Sequence, residues 1–212
     1  YGRPEKNWTY KLLRKSGYTG KIYLVGDDLD KTINDYKKKY RDELIIFDKK
    51  KAALNVDTGD NTEDFRSTLF ATTKIFDLAK KKGIKYFFIM CDDYTEFTYR
   101  FDNDLNYVTN KYVKNLDVIF KSMVTFMKNS KQISSIAMAQ TGDFIGGEKG
   151  SMTSKGGIVV KRKVMNTFLC SVDRAFKFMG RLNEDITTYV NLGSKGFLFM
   201  TIPLLAINQK ET

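Results

Sequence analysis

Two adjacent carboxylates, Asp92 and Asp93, follow the apolar run IKYFFIMC where a buried strand should end and CDDYTEFTYR begins. Neighbouring carboxylates can hold a hard divalent cation through oxygen and leave its other positions to substrate phosphates. The same residues suit a strand-to-loop turn in which Asp bonds its own backbone. Behind an uninterrupted apolar strand, the cation is the preferred reading. A second acidic group, Asn183, Glu184 and Asp185 of RLNEDITTY, stands where a helix should open. Backbone donors and the helix dipole favour acids there without any catalytic role. A carboxylate held in that way also stays ionised and can take a proton from an attacking hydroxyl. A third group, GDDLD with Asp27, Asp28 and Asp30, can bond a ribose or a base edge, or can cap the helix that follows. The cap is the reading the residues favour.

What is missing narrows the chemistry further. The chain has no histidine, which removes imidazole acid-base catalysis, Ser-His and Cys-His nucleophile pairs and every His-ligated metal site. Its two cysteines, Cys91 and Cys170, both lie inside apolar runs, too few for a disulfide framework or a cysteine zinc site. A reducing, cytoplasmic setting fits. An activating metal would be held by oxygens, which suits Mg²⁺ or Mn²⁺.

The formal net charge is +11, from 36 basic against 25 acidic residues. That balance points to an anionic partner, with nucleic acid or a phosphorylated cofactor foremost. Only eight of the 36 are Arg, however, and the lysine runs 37–39, 49–51 and 80–82 also read as solvated faces or helix ends. No apolar run reaches the roughly 20 residues of a membrane helix. The chain opens on Tyr1 rather than Met and closes on NQKET, so one or both natural ends are expected to lie beyond it.

The elements that must position these acids alternate. KIYLVG and ELIIFD read as strands around a helical LDKTINDYKKKY. Asn61 or Thr62 is expected to cap a helix whose first turn carries Glu63 and Asp64, whose apolar face is Phe65, Leu69, Thr72, Phe76 and Ala79, and which ends at Lys80–Gly83. IKYFFIMC reads as a strand buried on both faces of a parallel sheet. VKNLDVIFKSMVTFMKNS reads as a helix with a core stripe of Leu116, Ile119, Phe120, Met123, Phe126 and Met127. ISSIAMA, IVVKRKVM, TFLCS and GFLFMTIP read as strands, SVDRAFKFM as a short helix and NEDITTYVNLG as a helix start. Six glycines between Gly142 and Gly157 form a loop dense enough to close over a ligand or merely to connect. The whole predicts one domain over 1–212: a three-layer α/β fold with a mainly parallel central sheet and a mixed C-terminal half after residue 140. Ligands collect beyond the carboxyl ends of strands in such sheets.

The ordered set of a Tyr-Gly-Arg-Pro opening, KIYLVGDDLDKT, ELIIFDK, FFIMCDDYTEFTYR, AQTGDFIGG and LNEDITTYVNLGSKG resembles the TET-associated glycosyltransferase family of phages and its animal relatives. The likeness spans nearly the whole chain and rests most on DDYTEFTYR and NEDITTY. It implies a GT-A-like, Rossmann-type sandwich, with residues 1–140 binding a nucleotide-sugar and 141–212 carrying the acceptor and catalytic groups. It also implies sugar transfer from a UDP-sugar to the hydroxymethyl group of a modified pyrimidine in DNA, 5-hydroxymethylcytosine first. By resemblance Asp93 is the leading metal ligand with Asp92 beside it, and Asp185, then Glu184, supplies the base of an inverting reaction. Arg3, Asp27, Asp28, Asp92, Gly142 and Asp143 are carried over as donor-binding residues. Cys91 stands where the family pattern shows a further acid. Tyr94 to Tyr99 could offer a stacking face for the acceptor base. Two other outcomes fit the same residues: transfer to a protein or glycan hydroxyl, and a module that binds nucleotide-sugar or DNA without turnover. If phage-encoded, the protein would work in the host cytoplasm.

Overall fold

The computed structural model describes residues 2–60, 62, 64–150, 159–160 and 167–210. Helix α1 (Trp8–Lys15) precedes a β-α-β unit of β1 (Leu24–Asp27), α2 (Ile33–Tyr40) and β2 (Leu44–Phe47). Then come α3 (Lys49–Ala53), α4 (Leu69–Lys81), β3 (Tyr86–Met90), β4 (Tyr94–Phe101), β5 (Tyr107–Tyr112), α5 (Leu116–Asn129) and β6 (Ile133–Gln140). The two-residue β7 (Val159–Val160), β8 (Thr167–Ser171), α6 (Glu184–Ser194) and β9 (Leu198–Gln209) complete the order.

β1 and β2 pair in parallel as a sheet of their own. The larger sheet runs β3-β8-β6-β9-β4-β5, with β7 beside β9. Its only parallel pair among the described residues is β6 with β9. The fold is therefore mixed α/β, and the expected mainly parallel sheet is corrected to a mostly antiparallel one. The reason lies in the connections. A parallel pair needs a crossover, usually helical, and α2 supplies one. After β3, by contrast, the chain turns at Asp92 and Asp93 straight into β4, β4 and β5 form a hairpin, and β8 enters antiparallel between β3 and β6.

Period-two alternation divides the large sheet between two cores. Ile136 and Met138 of β6, Leu169 of β8 and Met200 of β9 join Leu13 of α1 and the α5 stripe on one side. Ala137, Phe168, Cys170 and Phe199 join Leu69 and Phe76 of α4 and Leu192 of α6 on the other. In α5 the buried positions are Leu116, Phe120, Met123 and Met127. Phe126 is 43% exposed, because it falls about 100° around the helix from Met127. Two side chains supplement the irregular β6–β8 ladder: Ser135 donates to the Leu169 carbonyl at 3.0 Å, and the Thr167 hydroxyl accepts from Met138 N–H at 3.1 Å. Each such buried bond is worth about 1 kcal/mol.

Helix ends follow their local chemistry. α4 starts at Leu69 rather than just after an Asn61 or Thr62 cap, because Asp57 and Asp60 accept from Gly59 and Thr62 N–H in Asx turns and Ser67 is tied to the Arg181 carbonyl before α6; Asn61 and Glu63 lie outside the described residues. Its end is as read, with Lys80 and Lys81 in the last turn and Gly83 at φ 68°. Gly17 is required by geometry, since at φ 85° a Cβ there would sit 2.3 Å from the Lys114 carbonyl oxygen. At the far end of α5, Arg174 donates to the carbonyls of Met127, Ser130 and Ile133 at 2.9, 2.9 and 2.6 Å, satisfying acceptors a helix terminus leaves unmet. The expected short helix in SVDRAFKFM is only a 3₁₀ turn, Val172–Arg174.

One irregularity in β9 matters for the site. Met138 pairs with Ile202 and Ala139 with Ala206, so residues 203–205 have no β6 partners. The bulge begins at Pro203, which has no N–H to donate. Before it β9 borders β7, and after it β9 borders β4. That shift brings Gln209, at the end of β9, opposite Tyr94.

Candidate active site

Asp27 and Asp30 from the end of β1, Asp92 and Asp93 from the end of β3, and Glu184 and Asp185 from the start of α6 line one cavity of about 1200 Å³. The cavity also runs between β1 and β3 themselves, each of which pairs on one side only among the described residues. Leu24, Val25, Phe88 and Ile89 make that stretch apolar, so charged ligand groups belong with the acids. Residues 2–9 bridge the two strand ends. Gly2 N–H donates to Asp30 Oδ2 at 2.9 Å, and Trp8 and Thr9 N–H donate to the Asp92 carbonyl at 2.9 and 3.1 Å.

Asp93 is held by the strand that the bulge re-aims. Gln209 Nε2 donates to both Asp93 carboxylate oxygens at 3.0 and 2.9 Å, and Lys210 N–H donates to the Asp93 carbonyl at 3.0 Å. Asp92 presents its carboxylate without a hydrogen-bond partner among the described residues. Glu184 and Asp185 occupy the first turn of α6, which Asn183 enters in the left-handed region at φ 53°. The Thr68 hydroxyl donates to Glu184 Oε1, and Ile186 N–H donates to Asp185 Oδ1 at 2.8 Å. This end of α6 is braced by Arg181, which donates to both Asp60 oxygens at 2.7 and 3.0 Å and to the Thr62 carbonyl. The guanidinium holds the Asp60 carboxyl well below the usual carboxylate range.

Cys91 feels acids from two elements at once. Burial pushes its thiol up to about 12, and the charges of Asp93, Glu184 and Asp92 add to the rise. Burial likewise raises the Tyr36 hydroxyl, with Asp30 and Asp92 contributing. Carboxylates from β1, β3 and α6 therefore share one electrostatic neighbourhood.

The remaining predicted residues are placed as follows. Arg3 lines the cavity, and its N–H donates to the Tyr36 hydroxyl at 3.3 Å. Asp27 is buried in an ion pair with Lys49 Nζ at 3.1 Å, their side chains 8% and 5% exposed. Asp28 does not reach the cavity wall, and its carboxylate accepts from Lys49 N–H at 2.9 Å. Asp30 accepts from the Thr32 N–H and hydroxyl, both at 2.8 Å. Local bonding thus accounts for much of GDDLD. Gly142 and Asp143 lie off the wall as well, in a 3₁₀ turn where Asp143 accepts from Gln140 N–H at 3.0 Å. Gly156, Gly157 and most of IVVKRKVM lie outside the described residues.

Two expectations are corrected here. The segment read as a loop with stacking aromatics is strand β4, whose Tyr94 and Phe97 are 0% and 2% exposed and serve the core. Lys49, read as part of a solvated run, is buried against Asp27. An Asp and a Lys placed just at or after the ends of two parallel strands were the signal for that pair, since a charge at such a position needs a partner.

Among the described residues no three Cys, Asp or Glu side chains converge as a metal site. A Mg²⁺-type ion asks less of the protein, one or two carboxylates with waters and phosphate oxygens completing its shell. Asp92 and Asp93 fit that requirement. No helix among the described residues is long and apolar enough to cross a membrane.

Acids from separate elements on one cavity are the equipment of a group-transfer enzyme, and the comparison with protein families defines the class as glycosyltransferase. The chain belongs to the TET-Associated Glycosyltransferase family, whose profile matches residues 1–212. A nucleotide-sugar donor is what that family implies. No curated protein and no solved structure matches the chain.

Proposed function

We propose that the protein transfers a sugar from a UDP-sugar to the hydroxymethyl group of a modified pyrimidine in DNA, 5-hydroxymethylcytosine first, with inversion at the anomeric carbon. The observation that carries this reading is the meeting of two acidic pairs, Asp92 with Asp93 and Glu184 with Asp185, on the wall of one cavity. The parallel β1–α2–β2 unit is consistent with a GT-A-like, Rossmann-type donor half, and a net charge of +11 with a polyanionic acceptor. Arg3, on the cavity wall, would meet the donor's phosphates.

Asp92 and Asp93 would hold Mg²⁺ or Mn²⁺, which when bound neutralises charge on the diphosphate. Asp185 takes the proton of the acceptor hydroxyl as that oxygen bonds to the anomeric carbon, and the bond from this carbon to the diphosphate breaks with its electron pair leaving on UDP. Glu184, engaged by Thr68, is the alternative base. Incubation with labelled UDP-sugars, Mn²⁺ and DNA containing 5-hydroxymethylcytosine tests the reading. Label on DNA is expected. Label only on added protein or glycan would reject the acceptor, and bound UDP without transfer or hydrolysis would reject catalysis.

A further inference from the structure

With Tyr94 and Phe97 in the core, the acceptor base needs another aromatic face. Trp8, the chain's only tryptophan, opens α1 and is 41% exposed. A single exposed indole means little by itself. This one is fastened to the acidic pair, since Trp8 N–H donates to the Asp92 carbonyl at 2.9 Å. Its neighbour is fastened in the same way: Lys210 N–H donates to the Asp93 carbonyl at 3.0 Å, and Lys210 Nζ lies 5.0 Å from the centre of the Trp8 ring. An aromatic plane and a cation thus stand as one unit just outside the cavity wall, each tied by backbone to one of the two aspartates.

Resting on the nucleic-acid acceptor proposed above, we infer that Trp8 and Lys210 form the platform that holds the acceptor nucleotide. The indole stacks on the extruded or single-stranded base, and the ammonium meets a flanking phosphate. Stacking suits any base because every base has a π-face, so the platform supplies affinity and position rather than sequence choice. Lysine serves the phosphate as a point charge on a long stem, able to leave the indole face as the base arrives. An acceptor held there is one residue's width from Asp92 and Asp93, whose side chains line the cavity proposed for the donor's diphosphate.

Because Trp8 is the only tryptophan, its fluorescence reports on this position alone. Titration with a single-stranded oligonucleotide carrying 5-hydroxymethylcytosine should quench the emission to saturation. Trp8→Ala should weaken oligonucleotide binding roughly 5- to 150-fold, with UDP affinity by calorimetry and thermal midpoint close to wild type, and Trp8→Phe should regain part of the loss. Lys210→Gln should lower the log–log salt slope by about 0.7. Oligonucleotide binding that leaves the emission unchanged, or equal binding by Trp8→Ala, overturns the platform while leaving the transfer reaction intact. Failure of the acceptor reading would look different: the wild type would bind and glycosylate no oligonucleotide while still hydrolysing UDP-sugar, and the platform would fall with it.

Discussion

The two acidic pairs reach the cavity by different means. Asp92 and Asp93 stand between two strands, with both carbonyls occupied by N–H donors from other segments and Asp93 gripped by Gln209 at the end of β9. Glu184 and Asp185 stand on the first turn of a helix, supported by Thr68, by the neighbouring amide, and at a distance by the Arg181–Asp60 brace. The position of the first pair is set by strand register and a bulge. That of the second is set by loop hydrogen bonds and a partly exposed ion pair, which solvent and salt weaken. For the proposed reaction, a fixed pair at the diphosphate facing a more adjustable pair at the acceptor would be a sensible division, since the diphosphate would be held while the acceptor still entered.

The largest effects should come from removing one charge from each pair. Asp93→Asn and Asp185→Asn are each expected to lower transfer by about 100-fold or more, read as label incorporated into DNA, with circular dichroism unchanged. Full transfer by Asp185→Asn would move the base to Glu184, whose Glu184→Gln variant would then be the one to fail. Next in size is another carboxylate of the cavity wall, Asp27. Lys49→Met leaves it buried without its partner and should cost about 3–5 kcal/mol, seen as a lowered midpoint in urea. A change below about 1 kcal/mol would mean that Asp27 reaches water more easily than the fold shows.

Cys91 measures the comparison itself. With its thiol held near 12, alkylation by iodoacetamide at pH 8 should run roughly a thousandfold slower in the native protein than in urea. Asp93→Asn should speed it more than Glu184→Gln, because the Asp93 charge raises the thiol more than the Glu184 charge does; the reverse order would place the helix pair closer to the thiol than the strand pair. The smallest effect is in the brace. Asp60 has its folded pKa depressed, so its contribution to stability is present above the ordinary carboxylate range and is lost as pH falls through the lowered value. Asp60→Asn should therefore show its full cost, small because the pair is partly exposed, at pH 7 and flatten the acid limb of the stability curve, with a larger loss in 10 mM salt than in 500 mM.

The strands with apolar runs were legible: β2, β3, β6 and β8 lie on runs read from the sequence, and β1 shares Leu24–Gly26 with KIYLVG. β4 and β5 were not, since exposed Thr95, Asn110 and Lys111 and half-buried Glu96 give the polarity of a loop. β9 runs past Pro203, where a strand was expected to stop, because the bulge accommodates the missing donor. Parallel pairing was overread because alternating apolar runs and helices do not say where a chain turns back on itself, and the turn at Asp92 carries no glycine or proline to announce it. Of the site, the two acidic pairs were legible from their places beside a strand end and a helix start. Gln209, Lys49 and Trp8 were not, because each meets its partners through tertiary contacts that no local spacing encodes.

Arg174 bears on the order in which the molecule assembles. The carbonyls it closes at the end of α5 belong to residues 127–133, so a nascent chain that has already released this helix must lengthen by some forty residues before its final turn can be locked. Until Arg174 has followed β8 out of the ribosome tunnel, those carbonyls lack this donor. The helix thus matures late, from a guanidinium delivered by sequence far downstream.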